Sequence, residues 1–235
     1  MKVKCVWEHN GNDSLLYADN FIGAFTRGDS LEEAILKMPE EIRRFQLWKG
    51  ENTVCDIDIE IVQEKESDLR IKDADSDVLF RSEETPLSAE EYKHLKSLAI
   101  KSAEDFQKLY DSFPDKNKSD NPKRKTFYGD VPRTAEEMYL HTKNVNAYYF
   151  SEIGVDADNE GTIISCRIRG FEALEAVPNF LSSAVFNGSF DEQWSVRKIL
   201  RRFIWHDRIH AKAMYRMGVL TFGEGVIPDV FGFAR

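Results

Sequence analysis

Three sites of the form Ser/Thr-x-Glu-Glu constrain this chain more than any other feature: Ser30-Leu31-Glu32-Glu33, Ser88-Ala89-Glu90-Glu91 and Thr134-Ala135-Glu136-Glu137. At such a site the hydroxyl accepts from a backbone amide one turn ahead, while the glutamate reaches back to an amide that the helix leaves open. Each site is followed by apolar residues at spacings of three and four, so three helices have defined starting points. The first runs to about Trp48 on a face of Leu31, Ala34, Ile35, Met38, Ile42 and Phe45, with a kink expected near Leu36 to Met38 because Pro39 cannot donate. The second carries Tyr92, Leu95, Ala99, Phe106, Leu109 and Phe113 on one stripe, and the third reaches about Ile153. Two further helical runs follow. One spans Gly161 to about Val177, where Pro178 ends it; the other spans Glu192 to Met217, capped by Asp191 and closed by Gly218.

Strand patterns are confined to the front of the chain. Lys2–His9 and Ser14–Asp19 alternate around the turn Asn10-Gly11-Asn12-Asp13, Ile22–Thr26 reads as a third strand, and Thr53–Val62 as a fourth. The fold class is therefore α+β. Residues 1–64 read as a small mixed αβ domain, a short antiparallel sheet plus one helix. Residues 65–86 read as a charged linker, with Asp77–Arg81 a candidate short strand, and residues 87–235 as a four-helix region. That region contains a long polar loop, Pro114–Pro132, and ends in a Gly- and Phe-rich tail, Val219–Arg235, expected to pack on the helices.

A chain that is 42% apolar and 31% charged can bury a core and remain soluble. No apolar run approaches the roughly 20 residues of a membrane span, and the alternating start Met1–Glu8 lacks the apolar core of a signal peptide. Cys5, Cys55 and Cys166 are an odd, scattered set that fits reduced cytoplasmic thiols rather than a disulfide framework. A net charge of −9 argues against nucleic acid as a partner.

The chain has five histidines, and three of them fall on apolar helical stripes. His206 and His210 are four apart, in line with Ile199, Phe203, Ala213 and Met217; His141 lines up with Met138, Val145, Tyr148 and Glu152. Both stripes are expected to face the interior, placing all three imidazoles inside. An i, i+4 pair can reach one ion at about 2.0–2.1 Å, and three imidazoles leave such an ion open positions. A histidine on an apolar face is also an ordinary hydrogen-bonded core residue, and spacing alone leaves both readings open.

Glu137-Met138-x-x-His141 with Val145-Asn146-Ala147-Tyr148-Tyr149 resembles the second helix of DinB-like four-helix bundles. Trp194-Ser195-Val196-Arg197-Lys198-Ile199-Leu200, leading to Trp205-His206-Asp207-Arg208-Ile209-His210, resembles their last helix. The resemblance covers about residues 87–218. It implies an up-up-down-down bundle with a three-histidine site for a divalent metal ion (zinc, nickel or iron), ligated here by His141, His206 and His210. It also implies a small-molecule substrate and a transferase- or isomerase-type reaction through a low-molecular-weight thiol. The third helix departs from an ideal bundle, with Gly170 inside it and Pro178 at its end. Separately, the run from Tyr17 to Ile35, with Phe25-Thr26-Arg27-Gly28-Asp29-Ser30-Leu31-Glu32-Glu33 at its centre, is similar to the strand–turn–helix of HicB-like antitoxin domains. Ile22-Gly23 stands where that family carries Pro-Gly. This implies a protein partner or a homodimer through the N-terminal domain, and with it an alternative: a non-catalytic partner-binding protein with a structural helical bundle.

Other residues are weighed against this frame. Asp207, Glu136 and Glu137 are candidate orienting carboxylates but lie beside the stripes, where solvent exposure is the plainer expectation. Cys166 reads as a buried small residue, and Glu152 as a helix end. Lys116, Lys118, Lys123, Arg124 and Lys125 read as a solvated loop, with Phe127 and Tyr128 the only aromatics among them. Arg197, Lys198, Arg201, Arg202 and Arg208 read as the exposed face of the last helix; His9 and His94 receive no role.

Overall fold

The computed structural model describes residues 1–53, 56–73, 75–126, 129–182 and 184–234. It is an α+β structure. The front half contains β1 (Lys2–Asn10), β2 (Asp13–Ala18), β3 (Phe25–Gly28), α1 (Leu31–Lys49) and β4 (Asp58–Glu66). Gly11 takes a φ of 58° in the two-residue turn that pairs Asn10 with Asp13. Sheet order is β3-β2-β1-β4. β1, β2 and β3 are antiparallel neighbours, but β4 runs parallel to β1, so the sheet is mixed rather than antiparallel. The cause is α1, which carries the chain across the sheet and back, as a parallel pairing requires. Expected strand residues Val54 and Cys55 lie outside the described residues. Ile22 and Gly23 are not strand: a Cβ on Gly23 would sit 2.3 Å from the Ile204 side chain, so the backbone here lies against a helix of the second half.

Both faces of the sheet are covered. Val3, Cys5, Leu16 and Ala18 join Met38, Ile42 and Phe45 of α1 in the main core. On the other face, Val6, Leu15, Tyr17 and Phe25 pack with Ile71, Val78, Phe80 and Trp205. The stretch expected as a charged linker thus supplies buried residues, with short 3-10 turns at Ile71–Asp73 and Arg81–Glu84 and no strand at Asp77–Arg81. Glu8, fully buried on β1, accepts from the amides of Asp77 and Val78 and from the Tyr17 hydroxyl. These bonds satisfy a backbone that has no ladder partner. Burial is the main influence on the Glu8 carboxyl and raises its pKa.

Four long helices follow: α2 (Ala89–Asp111), α3 (Ala135–Ser151), α4 (Ile163–Glu175) and α5 (Val196–Phe222). The capping hydroxyls Ser30, Ser88 and Thr134 all accept from the anticipated amides, and at Ser88 and Thr134 the exchange is reciprocal. Glu33 reaches one residue further back, to the amide of Asp29. Pro39 sits inside α1, which is a single helix on both sides of it. α5 differs from expectation at both ends. Its cap is Ser195, because Asp191 lies in a left-handed turn at φ 59°. It also runs through Gly218, where a Cβ would meet Ile227 and Phe113 at 2.7 and 2.8 Å, and stops at Gly223. That glycine therefore serves close packing rather than termination.

α2 packs on α4 and α5, and α3 packs on the same two helices. One core runs from Val3 and Phe45 through Phe106, Phe150 and Phe203 to Met217. The tail joins it, with Phe231 stacked on Trp48 at 5.3 Å and the Phe233 carbonyl accepting from Arg44, so it reaches α1 as well as α5. No helix among the described residues is long and apolar enough to cross a membrane.

Candidate metal centre

α5 is buried on almost every side from Lys198 to Arg208, which places His206 at 7% exposure and leaves His210, one turn on, half-buried. α3 presents a face of Met138, Tyr139, Thr142, Asn146, Tyr149 and Phe150 to the core. This face is rotated from the stripe read in the sequence. The Asn146 amide, which donates to the carbonyls of Asp158 and Cys166, and the buried Tyr149 and Phe150 rings hold that orientation. His141 therefore lies at the edge of the face and is exposed, so the three imidazoles are not all interior. They form a cluster at the rim, with His206 as its floor.

The structure brings the three rings together. One nitrogen from each lies within 4.8 Å of the other two. Ring centroids are 4.4 Å apart for His206 and His210, 4.6 Å for His141 and His210, and 5.2 Å for His141 and His206. The Nε2 atoms of His206 and His210 are 3.1 Å apart. Two nitrogens bound at about 2.0–2.1 Å to one ion are separated by about 3.0 Å at a right angle and about 3.4 Å at a tetrahedral one. The observed separation falls between, so this pair already has the bite of a metal chelate, and the cluster could hold an ion.

Its electrostatics point the same way. Burial lowers the His141 pKa, even though the residue is at the rim, because its ring faces the other two. Burial brings His210 down to about 3, with His141 adding to the shift. His206 lies well below the ordinary histidine range through burial first, then through His210, His141, Arg202 and Arg167. At neutral pH all three rings are neutral and offer lone pairs, the form that metal binding requires. Tyr149 sets its ring edge-on to His206 at 6.0 Å. The Nδ1 of His206 has no hydrogen-bond partner among the described residues.

Among the described residues no carboxylate orients these imidazoles. Asp207, expected at the surface, is fully buried and grips Arg167 of α4 with both oxygens while accepting from Ser102 of α2. Glu136 accepts from the Tyr110 hydroxyl, and Glu137 closes the α3 cap. The basic stripe of α5 is likewise not an exposed face. Lys198, Arg201, Arg202 and Arg208 are buried, and only Arg197 is partly open, bound to Glu91 and to the carbonyls of Thr85 and Pro86. Arg201 pairs with Glu83, Arg208 with Glu41, and Lys198 with Glu192. A basic helical stripe normally reads as solvated; here the front half of the chain docks on it and supplies Glu41 and the segment bearing Glu83. Periodicity carries no signal of that docking.

Cys166 is buried as expected, and burial raises its thiol pKa; Cys5 is likewise buried and pushed up to about 12, mainly by desolvation. Glu152 caps α3 and accepts from the Ser189 amide. Lys118, Lys123, Arg124 and Lys125 are exposed, with Arg124 bound to Asp73, while Phe127 and Tyr128 lie outside the described residues. His9 binds Glu64, and His94 is exposed on α2. Compared with known proteins, the chain matches no family model, no curated protein and no solved structure.

Proposed function

We propose that this protein binds one divalent metal ion through His141, His206 and His210 and uses it in small-molecule chemistry of the DinB-like kind. The observation that carries the reading is the convergence of three neutral imidazoles within 4.8 Å, two of them at chelating separation. In this reading α2 to α5 form an up-up-down-down bundle, and the ion is zinc, nickel or iron. Bound by neutral ligands, such an ion keeps its full charge and lowers the pKa of a coordinated water or thiol toward neutrality. A low-molecular-weight thiol serving a transfer or isomerisation suits that property, and the exposed edge at His141 is where a small molecule gains access. His206, held between Tyr149 and Trp205, fixes the site's depth. A reducing cytoplasm suits the free thiols of Cys5 and Cys166.

The alternative, a HicB-like partner-binding module on a structural bundle, has less surface to use. α1 covers one face of the sheet, and Leu69, Ile71, Val78 and Phe80 with Trp205 cover the other, leaving a partner the sheet edges.

Elemental analysis of protein purified without a histidine tag tests the metal reading. The expected result is close to one equivalent of zinc, nickel or iron per chain, lost in His206→Ala and in His210→Ala. Metal-free wild-type protein whose melting temperature does not respond to added metal overturns it.

A further inference from the structure

A second site lies on the neighbouring face of α5. Between β3, the start of α1 and α5 is a cleft of about 610 Å³, within the range of small-molecule sites. Phe25, Ile209 and Ala213 form its apolar wall, and five cations and five carboxylates line the rest. Among its glutamates, Glu33 is held by Lys37, Glu40 by Arg43 and Arg44, and Glu41 by Arg208. Two cations in the lining, Lys212 and Arg216, make no ion pair or hydrogen bond among the described residues; Lys212 only overlies the Phe233 ring at 5.7 Å. Asp13 and Asp29 complete the acidic lining, with Asp29 at the exposed rim. Of the other half-buried or buried cations, Lys96, Arg201 and Arg208 are ion-paired, whereas Lys116 overlies the Tyr110 ring.

We propose that this cleft binds a small organic anion, a carboxylate or a phosphate ester, with its charge held by Lys212 and Arg216 and its apolar body on Phe25, Ile209 and Ala213. Two donors on one helix face, one turn apart, suit the oxygens of such a group. Ile209 and Ala213 are each three positions from a clustered histidine, His206 and His210, a spacing of about 5–6 Å between Cβ atoms. The apolar end of the cleft therefore adjoins the imidazoles. The anion site stands without the metal reading; service to one reaction rests on it.

Calorimetric titration of the full chain at fixed ionic strength, with phenyl phosphate and with phenylacetate as probes, tests this. The expected result is saturable binding of at least one probe, weakened about tenfold in Lys212→Gln and again in Arg216→Gln, and unchanged in Lys93→Gln on α2. Tighter phenyl phosphate identifies a phosphate ester, and tighter phenylacetate a carboxylate. Both substituted side chains are unpaired, so melting temperatures stay near wild type. His206→Ala, which removes metal, leaves probe binding intact. Three outcomes overturn the proposal: no saturable binding of either probe, wild-type binding in the Lys212→Gln/Arg216→Gln double variant, or binding that vanishes in His206→Ala while surviving in that double variant.

Discussion

α5 carries two kinds of buried basic group, and the chain treats them oppositely. Arg201, Arg208 and, across the interface, Arg167 each meet a buried carboxylate: Glu83, Glu41 and Asp207. Among the described residues the three histidines meet no carboxylate, only one another and the Tyr149 and Trp205 rings. A guanidinium cannot shed its charge, so in a low-dielectric interior it must be paired. An imidazole can become neutral, and three neutral imidazoles in contact could hold a metal ion rather than form an ion-pair network. The contrast explains why one cluster reads as scaffold and the other as chemistry.

Removing one partner should break the first kind of cluster most visibly. Asp207→Ala leaves Arg167 buried without a counterion and is expected to cost about 3–5 kcal/mol, measured by denaturant unfolding. A loss below about 1 kcal/mol would mean that water reaches the pair. The next largest effect belongs to the histidines. Saturating zinc, at about a hundredfold excess over its Kd, is expected to stabilise the wild-type protein by about 2.7 kcal/mol. His206→Ala and His210→Ala should show no response.

A smaller, graded effect separates the clusters by pH. The histidine pKa values are lowered in the folded protein, so between the unfolded value near 6.5 and the folded values the unfolded chain binds more protons. Stability of the metal-free protein should therefore be complete above about pH 6.5 and fall as pH drops. The slope is about 1.4 kcal/mol per pH unit for each ring that stays neutral. Unfolding curves of His206→Ala should be flatter over that window, and identical curves would refute the neutral cluster. At the small end, Arg169→Ala breaks an exposed pair with Asp158 and is expected to leave the unfolding midpoint within error.

Local chemistry in the sequence was enough to locate the starts of α1, α2 and α3, because Ser30, Ser88 and Thr134 cap through neighbours three or four residues away. The histidine cluster was legible for a related reason: His206 and His210 share a face by helical geometry, and His141 lies on another amphipathic helix. What sequence pattern could not show is which polar stripe meets another part of the chain. Arg201 and Arg208 look solvated until Glu83 and Glu41 arrive from more than a hundred residues away. Asp207 looked solvent-facing until Arg167 claimed it. The same cause shifted the α3 face, since the Asn146 amide is committed to carbonyls beyond the helix end. Gly218 and Gly23 were misread as a stop and as a strand because close approach leaves the same residue as a turn does.

The approach of Gly23 to Ile204, together with the Arg201 and Arg208 pairs, clamps α5 against rolling about its own axis. A roll of roughly 20° would carry a side-chain nitrogen some 6 Å from that axis through about 2 Å, a full coordination bond length. The sheet half of the molecule thus sets the aim of His206 and His210, and loosening that clamp would detune the site without altering any ligand.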